Sequence, residues 1–349
     1  MKDNNSSAEV PCSLHNSIKD LITTYHELNS PTIEELDEEP SPLEFMRFVS
    51  CNRPFVVRKG AKDWPACRKW NVEYLHHVME GQLVNVAITP FGNADSPLEL
   101  DDGRVVFVKP YEVDEDFATV VRHIQEKELR TDYKGPVRYA QTQNDNLRNE
   151  YETLFSDVPK DIPFARVALE RNPDAINFWL GNSHSTTALH KDNYENIYVQ
   201  VLGQKHFVLL PPTEAACINE RELPASTYAT DSDEDHYNDL IVRIDSPSTA
   251  VPFATWDPDD PSKGQTDFSQ YSRPMRVTLN EGDMLYLPAL WYHKVSQSCS
   301  EEGVCCAVNY WYDMEFSGAF WSFASFTRSV GLLANVRDVK EKAVKEGVA

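Results

Sequence analysis

Two side chains able to share one metal ion stand two positions apart in the segment Asn177–Pro212, where His190 and Asp192 occur in the order His-Lys-Asp. On an extended backbone, positions i and i+2 leave from the same face, so imidazole and carboxylate point the same way. Far downstream, Glu281-Gly282-Asp283-Met284-Leu285-Tyr286-Leu287-Pro288-Ala289-Leu290-Trp291-Tyr292-His293 reads as a Gly-Asp turn, a short apolar strand, a proline and then a histidine. A strand pair of a small barrel would present His293 inward as a third ligand. Two imidazoles and a carboxylate form the facial donor set that suits Fe(II) and leaves coordination positions open for reactants. Asp283 in the same stretch reads as a turn residue rather than a base. His184, His206 and His236 read as structural or solvent-exposed.

The surroundings of these residues resemble a known family, the JmjC-domain Fe(II)/2-oxoglutarate-dependent oxygenases. The similarity lies in Asn177-Phe178-Trp179-Leu180-Gly181, in Thr187 and Asn196 on either side of His190, in Lys205, and in Ala307-Val308-Asn309-Tyr310-Trp311-Tyr312. Within the family, LHKDNYENIY, GQKHF and NYWYDMEF look most similar to the small JmjC lysyl hydroxylases that modify GTPases. The N-terminal stretch SPLEFMRFVSCNRPFVVRKGAKDWPACRKW is similar as well, so the resemblance covers most of the chain. It implies a mainly β fold with flanking helices, a double-stranded β-helix barrel of the cupin or jelly-roll type. It implies Fe(II) held by His190, Asp192 and His293, with 2-oxoglutarate and O2 as cosubstrates and succinate and CO2 as products. Lys205 would pair with the far carboxylate of 2-oxoglutarate, Thr187 and Tyr139 would donate hydroxyl hydrogen bonds to it, and Asn196 and Asn309 would steady the cosubstrate or a ligand. Trp291 would wall the pocket.

The assignment of Lys205 also has a reading from the residues alone. Lys205 alternates with Phe207 and Leu209, so all three share one apolar face. A lysine looking into an apolar interior needs an anion, because burying an unpaired ammonium is costly.

The activity implied is hydroxylation of a lysine side-chain carbon in a protein, a GTPase on this resemblance. Two alternatives stay open. A JmjC histone lysine demethylase uses the same iron chemistry on an N-methyl group, though the chain offers no Cys-rich finger and no basic tract. A catalytically silent cupin-like binding module would be favoured by loss of a ligand position, and none is lost.

Composition narrows the setting. With 33 Lys and Arg against 55 Asp and Glu, the net charge is −22, which argues against direct nucleic-acid binding and suits a basic protein substrate. The seven cysteines include no Cys-x-x-Cys pair, so neither a disulfide framework nor a structural zinc site is indicated. No apolar run approaches the roughly 18 residues of a membrane span, and the start MKDNNSSAEV carries no apolar signal segment. The expectation is a soluble cytoplasmic protein, with the nucleus as a second compartment.

The elements that must position the site follow from periodicity. Residues 1–135 read as a helical and strand segment packed on the barrel, 136–313 as the barrel core, and 314–349 as C-terminal helices. Leu14–Leu28 carries a helical apolar stripe, and Ser41-Pro42-Leu43-Glu44 is a helix start with its cap. Glu34–Glu39 reads as solvated loop, Pro54–Arg58 as a strand, and Trp64 and Trp70 as core aromatics. Asn71 caps a short helix closed by Gly81, Leu83–Thr89 and Val105–Lys109 are strands, Asp114 caps a helix, and Val137–Thr142 is a further strand. Ile197–Val201 and Lys205–Leu210 flank Leu202-Gly203-Gln204, which reads as a hairpin. Asp231–Asp235 and Trp256–Asp267 read as polar insertions, most simply disordered loops. Strands return at Met275–Leu279, Met284–Leu287, His293–Gln297 and Val304–Tyr312. The aromatic segment Ser317–Leu333 reads as helical, packed on the domain flank or across a homodimer interface.

Overall fold

The computed structural model describes residues 13–230 and 237–345. The insertion expected at Asp231–Asp235, and His236 beside it, lie outside the described residues.

Eight strands build the barrel: β1 Ala175–Gly181, β2 Thr187–His190, β3 Tyr194–Leu202, β4 Gln204–Leu210, β5 Met275–Leu279, β6 Met284–Leu287, β7 Tyr292–Ser298 and β8 Cys305–Asp313. They fall into two facing sheets. One has the order β6-β3-β8-β1, all antiparallel, and the other β5-β4-β7-β2, also antiparallel. This is the cupin-like, jelly-roll architecture that the resemblance implied.

Residue alternation along each strand decides what the barrel encloses. Trp179, Tyr198, Phe207, Leu209, Leu285, Val295 and Ala307, drawn from both sheets, meet in one cluster between them. Their sequence neighbours Phe178, Leu180, Ile197, Val199, Val308 and Tyr310 face the other way and join a larger cluster with Phe45, Phe55, Phe117 and Tyr151. Strands β1, β3 and β8 are therefore buried on both faces, which is why they read as nearly continuous apolar runs. A fully buried phenylalanine such as Phe45 or Phe178 gains about 1.5–3 kcal/mol from burial.

The N-terminal segment covers that outer face. Helix Pro42–Cys51 starts with a complete capping box between Ser41 and Glu44, while helix Leu14–Leu28, capped by Ser13, packs apart from that face against Ala216, Cys217 and Phe268. Asn71 caps helix Val72–Val78 as expected. Two short strands, Phe55–Val57 against β6 and Glu34–Leu36 in parallel beyond it, extend the barrel sheet to six strands. Part of the stretch read as solvated loop is thus an edge strand, held by long-range pairing that a charged sequence does not advertise.

Three other readings change. The cap of helix Phe117–Leu129 is Asp116, whose carboxylate accepts from Thr119 N at 3.1 Å; Asp114 lies in strand Tyr111–Asp116. The strand expected at Val137–Thr142 covers only Val137–Tyr139. Leu202-Gly203-Gln204 is not a hairpin: β3 pairs with β6 and β8 while β4 pairs with β5 and β7, so Gly203 turns the chain from one sheet into the other.

Between β4 and β5 the chain forms three strands outside the two stretches read as polar insertions. Glu220–Ala229, Ile241–Ile244 and Ala250–Ala254 build a sheet with Val105–Lys109 and Ser96–Glu99. Trp256–Asp267, expected as disordered loop, packs on the barrel through buried Trp256, and Asp257 pairs with Lys294 at 2.7 Å. The C-terminal segment is one helix, Phe320–Lys345. Among the described residues no helix is long and apolar enough to cross a membrane.

Candidate metal and cosubstrate site

Strands β2 and β7 pair with His293 directly opposite His190, which brings two histidines far apart in sequence to one end of one sheet. Their ring centroids are 4.1 Å apart. Asp192 Oδ2 stands 3.7 Å from Nε2 of each histidine, and one ligand atom from each residue lies within 4.8 Å of the others. Donors bonded to one ion at about 2.1 Å and at right angles would stand about 3 Å apart, so a small inward rotation of each side chain closes the set.

The orientation of both rings is held in the same way. His190 Nδ1 contacts the Ala188 carbonyl at 2.8 Å and His293 Nδ1 the Trp291 carbonyl at 3.1 Å. A ring nitrogen facing a carbonyl must carry the proton, which leaves Nε2 with its lone pair toward Asp192. Burial, reinforced by the neighbouring His190, pulls the pKa of His293 down to about 4. His293 is therefore a neutral imidazole at physiological pH, the form that binds a metal.

One cavity is lined by all three candidate metal ligands, His190, Asp192 and His293, and all five candidate cosubstrate residues, Thr187, Tyr139, Asn196, Lys205 and Asn309. Lys205 is 2% exposed and lies on β4 beside Phe207 and Leu209, both buried. Its Nζ donates to Gln297 Oε1 at 2.6 Å and to Tyr139 Oη at 3.0 Å. Both partners are neutral. Gln297 is oriented for this by donating its own amide to the Asn182 carbonyl at 2.6 Å. Gly181 makes the space, since a Cβ there would fall 2.6 Å from the Tyr139 ring and 2.8 Å from Gln297 Nε2.

On the opposite wall Trp179 Nε1 donates to Asn309 Oδ1 at 2.8 Å, and Asn309 Nδ2 donates to Asn196 Oδ1 at 3.0 Å. Asn309 is thus consumed within the protein, and Asn196 is left to present its Nδ2 to the cavity.

Trp291 does not wall this cavity. It is fully buried and its Nε1 donates to Asn52. Asp283 is the turn residue expected, taking Arg58 Nη1 at 2.6 Å and Lys59 N at 2.9 Å. His206 bonds Thr278 and Ser298 through its two nitrogens, and His184 is exposed. Gln297 and Trp179 hold Lys205 and Asn309; the sequence placed Trp179 in a motif but gave neither residue this role. Strand alternation could have found Gln297, since His293, Val295 and Gln297 share a face.

The chemistry of this donor set fits a divalent metal with a carboxylate-bearing cosubstrate. Three neutral or anionic donors converge at one end of the cavity, and a buried ammonium without a carboxylate partner among the described residues waits on its wall.

Comparison with known proteins points the same way. The cupin-like domain family matches residues 40–318. The chain is 35% identical over 310 residues to lysine-specific demethylase JMJ32 of Arabidopsis thaliana, covering 86% of this chain and 87% of that protein. It is 36% identical over 301 residues to the human bifunctional peptidase and (3S)-lysyl hydroxylase JMJD7, covering 85% and 90%. A third relative, JmjC domain-containing protein E of Dictyostelium discoideum, is 33% identical over 295 residues, covering 80% and 83%.

Proposed function

The chain belongs to the cupin-like JmjC family, whose enzymes use Fe(II) and 2-oxoglutarate with O2, and from that premise we propose that it is a protein lysyl hydroxylase oxidising a side-chain carbon of lysine in a GTPase. The observation that carries the oxygenase reading is the pairing, in one cavity, of a His-Asp-His cluster with a buried lysine whose hydrogen-bond partners among the described residues are neutral. The lysyl reading rests on the human relative and on the acidic character of the chain, which suits a basic partner.

In this reading His190, Asp192 and His293 would hold the iron. When bound, iron with 2-oxoglutarate and O2 supplies the oxidising power to insert an oxygen atom into a C–H bond. Lys205 takes the far carboxylate of 2-oxoglutarate in a charge-assisted hydrogen bond. The Tyr139 hydroxyl, whose oxygen already accepts from Lys205, has its hydrogen free for the same carboxylate, and Thr187 adds a second hydroxyl. Asn196 offers its amide as a neutral donor. Trp179, Tyr198 and Phe207 line the cavity with aromatic surface. Asp192, with its side chain 23% exposed, lies on the side open to solvent, where a substrate lysine would approach.

The Arabidopsis relative supports demethylation of an Nε-methyl group as the second reading. Intact-mass analysis of candidate GTPases and of methylated histone peptides, each incubated with the protein, Fe(II) and 2-oxoglutarate, separates the two. Gain of one oxygen atom's mass on an unmethylated lysine is the expected outcome. Loss of a methyl group's mass from the histone peptide, with no gain on any GTPase, would overturn the hydroxylase reading.

A further inference from the structure

The residues just ahead of His293 are held both by the barrel and by the N-terminal segment outside it. Leu290 has a φ of +68°, a left-handed conformation that is unfavourable for a residue with a Cβ and persists only where the surroundings impose it. Here three elements impose it. Ala289 N donates to Glu195 Oε2 at 3.1 Å, an oxygen that also accepts from the Tyr286 hydroxyl at 2.6 Å. Leu290 N donates to the main-chain carbonyl of Asp192 at 2.8 Å. From the N-terminal segment, Asn52 Nδ2 donates to the Ala289 carbonyl at 3.0 Å, and Trp291 Nε1 donates back to Asn52 Oδ1 at 2.7 Å and to its carbonyl at 2.9 Å.

Asn52 thus grips the turn on both sides of Leu290. The next bond in the series is the one from His293 Nδ1 to the Trp291 carbonyl. Asn52 itself ends helix Pro42–Cys51 with a φ of +48°, and only its backbone N–H serves as the cap, toward Phe48 and Val49. Its side chain is therefore not spent on the helix. The position asks for a short side chain that both donates and accepts on a left-handed backbone, a combination that asparagine meets and that aspartate, alanine or glycine does not.

We propose that Asn52 is a positioning residue for the metal ligand His293, fixing the ring through the Ala289–Trp291 turn although it lies outside the barrel and touches neither cavity nor ligand. The proposal rests on the reading of His293 as an iron ligand. Groups that orient a metal-bound histidine typically alter metal affinity by about 10- to 100-fold when removed, and Asn52 acts through one intervening residue, so the lower end applies.

Mn(II), whose free-ion paramagnetic signal disappears on binding, is the probe, titrated into the full-length metal-free protein. Asn52→Gly keeps the left-handed backbone and removes the amide; Trp291→Phe keeps a ring in the core and removes the reciprocal donor. Each is expected to weaken Mn(II) binding about 10-fold, and the double variant by less than the product of the two, because both break one linkage. Thermal melting of the metal-free variants separates positioning from general loosening. Wild-type Mn(II) affinity in both variants, whatever their melting temperature, overturns the proposal. His293→Ala tests the reading beneath it: undiminished Mn(II) binding there removes His293 from the metal site, whereas loss there with unchanged binding in the Asn52 and Trp291 variants removes Asn52 alone.

Discussion

A buried ammonium among neutral partners is the tightest constraint in the cavity. Among the described residues Lys205 donates to Tyr139 and Gln297 alone, and an amide and a phenol do not neutralise a charge held away from water. An anion completes it. A charge-assisted hydrogen bond contributes roughly 1.5–3 kcal/mol, or about 10- to 150-fold in affinity. Lys205→Ala is therefore expected to raise the apparent constant for 2-oxoglutarate by that order while altering Fe(II) affinity much less. Parallel titrations of the two in the purified variant check this, and an unchanged 2-oxoglutarate requirement would make Lys205 a scaffold residue. The inward direction of Lys205 was legible from its alternation with Phe207 and Leu209. Its partners were not, because Tyr139 and Gln297 arrive from other strands and nothing local links them to it.

At the scale of elements, the passage from β3 to β4 shows how one local signal serves two topologies. A glycine between two strand-like runs marks either a hairpin or a corner, since both need a residue comfortable at positive φ. Gly203 has a φ of +70°, and a Cβ there would lie 2.5 Å from the Ser298 carbonyl oxygen and 2.9 Å from Ser300 N. Gly203→Ala should then cost more than the roughly 1–2 kcal/mol of the left-handed conformation alone. A lowered urea midpoint at unchanged slope is the expected measurement, and a wild-type midpoint would show that the corner relaxes freely. The choice between hairpin and corner was made by pairing partners distant in sequence, β6 and β8 for one strand and β5 and β7 for the other.

For the whole molecule the C-terminal helix carries the assembly question. Trp321 and Ala324 pack against Ala289, Leu290 and Met314, and Ala334 against the first helix. Phe323, Phe326 and Leu333 remain 67%, 66% and 63% exposed. Large apolar side chains gathered on one exposed helix mark an interaction surface more often than an idle one, and a second copy with two-fold symmetry is the commonest way to cover it. The protein is expected to be a homodimer in light scattering at micromolar concentration, and Phe323→Asp with Phe326→Asp to be a monomer. A wild-type monomer under those conditions would sink the proposal. Because the same helix packs on Ala289 and Leu290, the dimer variant should be checked for retained metal binding as well.

What the sequence determined by itself was whatever depends on short range and on residue type: the His-x-Asp pair, the inward lysine, the helix caps at Ser41 and Asn71, and most of the strands after Ile176. These follow from the two-residue repeat of a strand, the chemistry of imidazole and carboxylate, and the few side chains that cap a helix. Tertiary structure alone decided which sheet each strand joins, that Glu34–Leu36 pairs at all, that Asn309 is spent on Asn196 and Trp179, and that Trp291 turns away from the cavity toward Asn52. Each of these is a contact between residues remote in sequence. Such a contact is selected by the packing of the finished barrel and leaves no periodic trace in the chain that makes it.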